Sequence, residues 1–266
     1  MLASGDTRER EECYRDAVLR AVVLVALLAT PVRAEPTDLV SRPLVLEPGD
    51  IEAAATFEVN LAHNAKASPL SLAPDVWVGV APRWSIGLVH SMASVDRFAP
   101  GGSFCVRTDS LYCDSVYHGS GLDVRYAKAR WIAPRARVLV RDVDPFKPAI
   151  TLGAQLRWQH GRWAITGDPY LQRGLANEDK GNRTQLWLPV QLALQPIERV
   201  LVAIDTGMNG ELAIFDEAFH VPIAASVRAR ATTQFDVGAT IGFASMLGPQ
   251  NTPKQRVLFV TLGWRR

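Results

Sequence analysis

Apolar and polar residues alternate along most of the chain after residue 50, with the period of two that a half-buried β-strand requires. Between 149 and 158, for example, Ile150, Leu152 and Leu156 are separated by Thr151 and Gln155. The pattern predicts an all-β fold of about twelve strands, with ten or fourteen as alternatives. The predicted strands cover 51–62, 72–80, 84–91, 119–129, 135–143, 149–158, 162–172, 184–194, 199–208, 220–230, 234–243 and 255–264.

The connections between these strands alternate in length. Those after even-numbered strands hold only a few residues, as at 81–83 and 159–161, whereas those after odd-numbered strands are mostly longer, up to 92–118. The segment 144–148 is the one short exception on the long side. This rhythm predicts adjacent antiparallel hairpins with tight turns at one end and long loops at the other. Strands of about ten residues are long enough to cross a bilayer when tilted.

Tryptophans gather at one end of the predicted strands, beside the short turns or the C-terminus. This group consists of Trp84, Trp131, Trp158, Trp163 and Trp264. Indole rings favour the membrane–water interface, where the ring lies partly in hydrocarbon and the N–H reaches water. The group therefore predicts an aromatic girdle. A weaker second girdle is predicted at the loop ends from Tyr117, Phe146, Tyr170 and Phe219.

The N-terminal region carries the features of an export signal. Arg15 and Arg20 precede an apolar run of nine residues, 21–29, and the sequence Val32-Arg33-Ala34 then suits cleavage before Glu35. An apolar run of this length is too short for a membrane anchor. We therefore predict a signal peptide over 1–34, the alternative being a buried amphipathic helix. The acidic residues within 1–16 suggest a true start further along the chain, near Val18.

Residues 35–49 separate this signal from the first strand. They contain Pro36, Pro43 and Pro48, which disfavour regular structure. The segment is interpreted as an extended periplasmic lead-in, part of which could enter the lumen of the domain formed by 50–266.

Taken together, the export signal, the alternating strands, the turn rhythm and the last strand 257–264 resemble bacterial outer-membrane β-barrel proteins as a broad class. The resemblance covers about 50–266 and implies a closed up-and-down antiparallel transmembrane β-barrel in the outer membrane. Closure follows because each unpaired backbone N–H or C=O group in hydrocarbon costs several kcal/mol, which excludes an open sheet edge. Expected partners are outer-membrane lipid, lipopolysaccharide and the barrel assembly machinery, although Arg265 and Arg266 follow the terminal aromatic Trp264.

Charged residues occur on the polar parity of the strands, and a lipid-facing arginine near the midplane would cost about 2–4 kcal/mol. The polar parity is therefore expected to face the lumen. The predicted lumen charges are Glu58, Asp123, Arg125, Arg137, Arg141, Arg157, Asp205, Arg228 and Asp236. They could form an internally paired plug, or a narrow channel for small solutes whose arginines favour anions. The solute itself is not predictable from the sequence.

Other chemistry is weakly represented. The net charge of +2 gives no electrostatic case for nucleic acid. Cys13 lies in the predicted signal, which leaves Cys105 and Cys113 to form a disulfide in an oxidising compartment. Neither a cofactor nor a metal site is predicted, because the histidines lack a ligand spacing and the two cysteines lack further zinc ligands. The loop-side histidines are His63, His90, His118 and His220.

An enzyme is not predicted either, since His90 and Ser91 are neighbours in one strand and point to opposite faces. The charged loop 173–183 reads as a solvated loop, with Ca²⁺ or lipopolysaccharide-bridging cations as the alternative. The function expected from the sequence is a narrow porin-like channel. A non-conducting structural or adhesive barrel, a rim-site enzyme and a soluble secreted β-sandwich remain as alternatives.

Overall fold

The computed structural model describes residues 39–61, 70–90, 104–105, 119–249 and 256–266. Its described part contains the 3₁₀ helices Leu39–Ser41, Glu178–Lys180 and Leu212–Ile214 and one short α-helix, Phe215–Ala218. None of the described helices is long and apolar enough to cross a bilayer. The strands are β1 (Ile51–Asn60), β2 (Leu70–Ala81), β3 (Trp84–Val89), β4 (Phe104–Cys105), β5 (Ser120–Tyr126), β6 (Ile132–Val143), β7 (Phe146–His160), β8 (Trp163–Gly167), β9 (Tyr170–Gly174), β10 (Gln185–Ile197), β11 (Val200–Glu211), β12 (Val221–Arg230), β13 (Phe235–Leu247) and β14 (Arg256–Arg265).

These strands close into one antiparallel barrel. Most strands pair with their neighbours in sequence, except that β3 pairs with β5 and that β8 and β9 each pair with both β7 and β10. Strand β1 pairs with both β2 and β14, so that Thr56 lies opposite Ala73 on one side and Thr261 on the other. Because β8 and β9 together fill one position, and the two-residue β4 is an extra strand that pairs with β2 alone among the described strands, the barrel has twelve positions. The predicted fold and strand number are confirmed. The soluble sandwich of two stacked sheets is excluded as the fold.

Two details differ from the sequence prediction. The segment 162–172 was expected to be one strand, but it is broken between β8 and β9 at Asp168-Pro169. Proline has no N–H to donate to the ladder; Pro169 instead accepts a hydrogen bond from the Ala154 N–H at 3.1 Å. The segment 92–118 was expected to be loop throughout, yet it contains the two-residue strand β4, which pairs with β2.

The alternation of turns is present in the described part of the chain. Two-residue turns join β2 to β3, β7 to β8 and β10 to β11, all at one end of the barrel. The opposite end carries the described connections 175–184 and 212–220, together with the tight turn at 144–145. The C-terminus lies at the end with the short turns, where Ile51 and Arg266 exchange backbone hydrogen bonds of 2.9 Å.

Apolar residues face outward and polar residues face inward, which is the reverse of the distribution in a soluble protein. The outward parity is apolar, whereas many of the buried, inward side chains are polar or charged, among them Asp75, Asp123 and Arg137. The exposed apolar side chains occur all around the barrel and include Ile86, Leu122, Val138, Leu152, Ile165, Val190, Ile204, Val227, Ile241 and Leu262. An apolar surface of this extent is far larger than the patches tolerated on soluble monomers.

The segment before β1 lies inside the barrel. We call residues 39–46 the strap. Leu39, Val40, Val45 and Leu46 in it are buried, and Leu46 belongs to an apolar cluster with inward-facing residues of β2, β3, β6 and β7. The strap then leads to Gly49 and Asp50, which pair with the end of β2 at Gly79.

Candidate functional site

The interior wall formed by β2, β3, β5 and β6 is centred on Asp123, which has no exposed surface. Its Oδ2 atom accepts hydrogen bonds from Arg125 Nε at 2.8 Å and from Trp77 Nε1 at 3.2 Å. Arg137 Nε lies 3.5 Å from the other carboxylate oxygen, and the Arg125 guanidinium also lies over the Trp77 ring. Register explains the grouping, since Asp123 and Arg137 are directly opposite each other on β5 and β6.

A second buried ion pair joins Arg135 of β6 to Asp168, the residue at the break between β8 and β9. The Arg135 guanidinium also lies 5.3 Å from the centre of the Tyr170 ring, which stacks on Trp187 at 5.8 Å. Tyr170 is therefore an interior residue, and its prediction as part of the second aromatic girdle was wrong. It faces inward because its parity on β9 is that of Gln172, which is also buried.

The remaining predicted lumen charges lie at separate points around the interior. Arg141 donates to Asn182 Oδ1 at 3.3 Å, and Asp205 accepts from Gln191 Nε2 at 2.6 Å. Glu58 shares the inward parity of the buried Thr56 on β1 and is half-buried. The interior therefore combines internal pairing with arginines that reach open space.

The side of the barrel formed by β10 to β14 carries smaller inward residues. Ala193, Ala203, Ala224, Ser226 and Thr240 lie there. Between this side and the arginine-rich wall lies a cavity of about 240 Å³. The charged residues that line it are Arg42, Glu52, Arg125, Arg157, Asp168, Asp205 and Arg228.

The strap crosses the lumen at the end with the short turns. Val40 N–H donates to Gln195 Oε1 on β10 at 2.9 Å, and Leu46 N–H donates to Ser85 Oγ on β3 at 2.8 Å. Between these anchors, Arg157 on β7 donates to the Arg42 carbonyl. The Arg42 side chain extends to Asp236 on β13, with 2.6 Å between Nη1 and Oδ2.

Several of these residues were missed by the sequence analysis. Arg135 could have been found, because it has the same strand parity as Arg137 and Arg141. Asp75 and Arg230 are buried at inward positions by the same logic. Arg42 gave no such signal, since it lies outside the alternating pattern. Asp168 could also have been found, since it has the same parity as the buried Ala164 and Gln172 within the predicted strand 162–172.

The predicted girdle residues lie at one end of the barrel. Trp84, Trp131, Trp158 and Trp163 are each 43–64% exposed on the outer surface near the short turns. Trp264 is half-buried and pairs with Phe235, which is exposed. The other two tryptophans, Trp77 and Trp187, point inward and are buried.

The histidines do not form a metal cluster within the described ranges, where no group of three potential ligands is found. His220 Nδ1 lies 2.9 Å from Ser245 Oγ, and His90 Nδ1 lies 2.7 Å from Ser120 Oγ. His63, His118, Ser91 and the partner cysteine Cys113 lie outside the described residues, so the predicted disulfide with Cys105 stays a prediction.

The His90–Ser120 contact bears on the enzyme alternative, because a nucleophilic serine needs a base that a third group orients. Asp75 Oδ1 does approach His90, but it accepts the backbone N–H at 2.7 Å. This contact fixes the backbone at the end of β3.

No family model matches the chain, and no curated protein matches it in sequence. Among solved structures, the NanC porin aligns with a TM-score of 0.52 at 7% identity, covering 80% of this chain and 98% of the porin. An outer membrane channel from Pseudomonas putida F1 aligns at 13% identity with a TM-score of 0.49, covering 89% of this chain and 100% of the channel.

The chain thus has the fold of the bacterial outer-membrane β-barrel proteins. Within that class it is a twelve-position barrel with a charged, arginine-containing interior and an N-terminal strap inside the lumen.

Proposed function

We propose that this protein is an outer-membrane channel for small solutes. The observation that carries the proposal is the pairing of an apolar outer surface with a polar lumen that encloses a cavity of about 240 Å³. A closed barrel with lipid-facing apolar residues has no open edge to satisfy, which makes it stable in hydrocarbon. The exposed tryptophans at the short-turn end support an interfacial position there.

The lumen favours small anions in this proposal. Among the described cavity-lining residues, Asp168 is bound by Arg135, whereas Arg157 donates to a backbone carbonyl. Arg228 lies 3.7 Å from Asp236 and keeps 40% of its side chain exposed. Fixed guanidinium groups that reach the cavity stabilise passing anions and disfavour cations. In this proposal, the predicted signal peptide directs export of the chain, and the assembly machinery inserts the barrel by recognising the C-terminal strand that contains Trp264.

A non-conducting barrel is the competing function. The paired residues Asp123, Arg125 and Arg137 favour it, because buried ion pairs can rigidify an interior without providing a path. Bilayer recording separates the two functions. The channel proposal expects discrete unitary conductance steps from purified full-length protein in planar bilayers, and their absence from correctly folded barrels would refute it.

The ion preference has its own test. In a potassium chloride gradient, the reversal potential is expected to indicate anion selectivity. Arg228→Gln should lower the chloride-to-potassium permeability ratio about fivefold, since a unit charge about 8 Å from an ion in water contributes about 0.5 kcal/mol, with opposite sign for the two ions. Arg173→Gln removes the same charge from an exposed position on the outer parity of β9 and should leave the ratio unchanged. A reversal potential that indicates cation selectivity would contradict the anion preference, and equal ratios in all three proteins would show that Arg228 does not contribute to it.

Membrane residence is tested separately from conduction. The folded protein should remain monodisperse only in detergent or lipid, and unboiled samples should migrate differently from boiled ones in gel electrophoresis, because a closed barrel resists detergent unfolding. A protein that stays monodisperse in buffer alone would overturn the assignment to a membrane.

A further inference from the structure

The strap runs across the lumen along a diameter. Its first anchor, Gln195, is on β10, and Gly49, which follows its last residue closely in the chain, pairs with Gly79 on β2. In the closed order of the barrel these two strands occupy opposite positions of the twelve. A chain that joins opposite walls divides the cross-section of the lumen between them.

The strap is held by both apolar and polar contacts. Leu46 is 5% exposed and belongs to the apolar cluster that includes Trp77, Val89 and Leu139, and burying a leucine contributes about 2 kcal/mol. Four different strands supply the polar residues that bind the strap, namely Gln195, Ser85, Arg157 and Asp236. The strap therefore has a defined position in the lumen.

The barrel wall is shaped to receive the strap. Gly79 on β2 faces the backbone just after the strap, and a Cβ atom at this position would lie 1.8 Å from the Glu47 carbonyl oxygen and 3.0 Å from that of Leu46. Any side chain larger than hydrogen would displace this backbone. Glycine at 79 is thus explained by the approach of the strap and not by the needs of the β2 ladder.

The strap also carries charge into the pore. Arg42 and Arg228 share the single carboxylate of Asp236, at 2.6 Å and 3.7 Å. Arg157 joins the same group through the Arg42 carbonyl. Two guanidiniums face one carboxylate and a third binds a backbone carbonyl beside them, which leaves a local excess of positive charge at the cavity that Arg42, Arg157 and Arg228 line.

We infer that the strap is the constriction of the channel and that Arg42 is its specificity-determining residue, which selects small anionic solutes. This inference rests on the proposed channel function. The strap backbone then sets the width of the pore, and Arg42, which lies outside the barrel wall, contributes part of the ion preference. A channel whose width and selectivity belonged to the wall alone would conduct in the same way without the strap.

The first experiment removes residues 39–46 from the full chain and compares unitary conductance with the wild type in planar bilayers. The conductance is expected to rise at least about twofold, because the lumen cross-section is no longer divided. Gel mobility before boiling identifies folded barrels. Conduction of both proteins at the same level would overturn the inference and leave the proposed function intact. No conduction by either folded protein would overturn both.

A point variant tests pore width without shortening the chain. Gly79→Ala should displace the strap and raise unitary conductance in the same direction as the deletion. Gly167→Ala is the matched control, since a Cβ there would lie 3.4 Å from its nearest neighbour, the Pro189 carbonyl oxygen. If folded Gly79→Ala conducts like the wild type, and the deletion variant either conducts like the wild type or does not fold, the strap is not the constriction.

Selectivity is tested with the strap in place. Arg42→Gln should lower the chloride-to-potassium permeability ratio about fivefold, on the same Coulombic grounds as for Arg228. Arg42→Lys should restore the ratio because it keeps the charge. If the glutamine and lysine variants behave alike, Arg42 has a structural role only and the assignment of selectivity to it is wrong.

Discussion

Asp123→Ala is expected to lower the free energy of unfolding of the barrel by about 3–5 kcal/mol, the cost of leaving a buried charge without its partner. Asp123 is fully buried, and its carboxylate neutralises Arg125 and Arg137 while accepting a hydrogen bond from Trp77. Removing it leaves two guanidiniums facing each other in the interior. Equilibrium urea unfolding in lipid vesicles, followed by tryptophan fluorescence, measures the loss.

Asp142→Ala is the matched control for that measurement. Asp142 also forms an ion pair, with Lys147 at 3.0 Å, but both side chains are partly exposed near the 144–145 turn. An exposed pair contributes about 0–1 kcal/mol. Similar losses for the two alanine variants would mean that Asp123 is not the centre of a buried charge cluster, and that water enters this part of the interior freely.

Leu152→Arg is expected to destabilise the folded barrel by about 2–4 kcal/mol in a bilayer. Leu152 is 57% exposed on the outer parity of β7, opposite Ala136 and Leu171 on the neighbouring positions. On a soluble protein, a substitution at so exposed a position would change stability by less than about 0.5 kcal/mol. The cost therefore reports on the medium that the outer surface contacts.

Val143→Arg provides the comparison for Leu152→Arg. Val143 is 70% exposed at the end of β6, next to the turn at 144–145. Near the interface the cost of an arginine falls to about 0–1 kcal/mol. Unfolding of both variants in vesicles should thus give a depth-dependent difference, and equal small costs would argue that residue 152 faces water.

The two substitutions probe opposite faces of the same wall. Asp123 tests an interior in which charges are stabilised by one another, and Leu152 tests an exterior in which a charge is not tolerated. In a soluble β-sandwich the two environments would be exchanged. The pair therefore tests the inverted distribution on which the channel proposal depends.

The sequence was sufficient to predict the barrel because its signals are local. Alternation with period two identifies each strand and both of its faces, as in β13, where Asp236 is inward and Ile241 is outward. Short turns identify hairpin partners, and closure follows from the cost of an open edge in lipid. The break at Asp168-Pro169 was missed because apolar alternation continues through it, while the proline interrupts the ladder.

The grouping of the interior charges required the tertiary structure. Parity indicates that a residue faces the lumen, but the meeting of Arg135 with Asp168 depends on strand register and on the break between β8 and β9. The pairing of Arg42 with Asp236 joins residues far apart in sequence, and no periodic pattern predicts it.

What the sequence by itself determined is the identity of most strands, the side of the wall on which most of their residues lie and the end of the barrel that carries the exposed tryptophans. These are consequences of short-range periodicity and of the solvent on each face. Only the tertiary structure decided how far the strap enters the lumen and which charges meet there. The physical reason is that these contacts form between segments that are distant in sequence. The strap backbone, for example, fits against β2 because Gly79 has no side chain to exclude it.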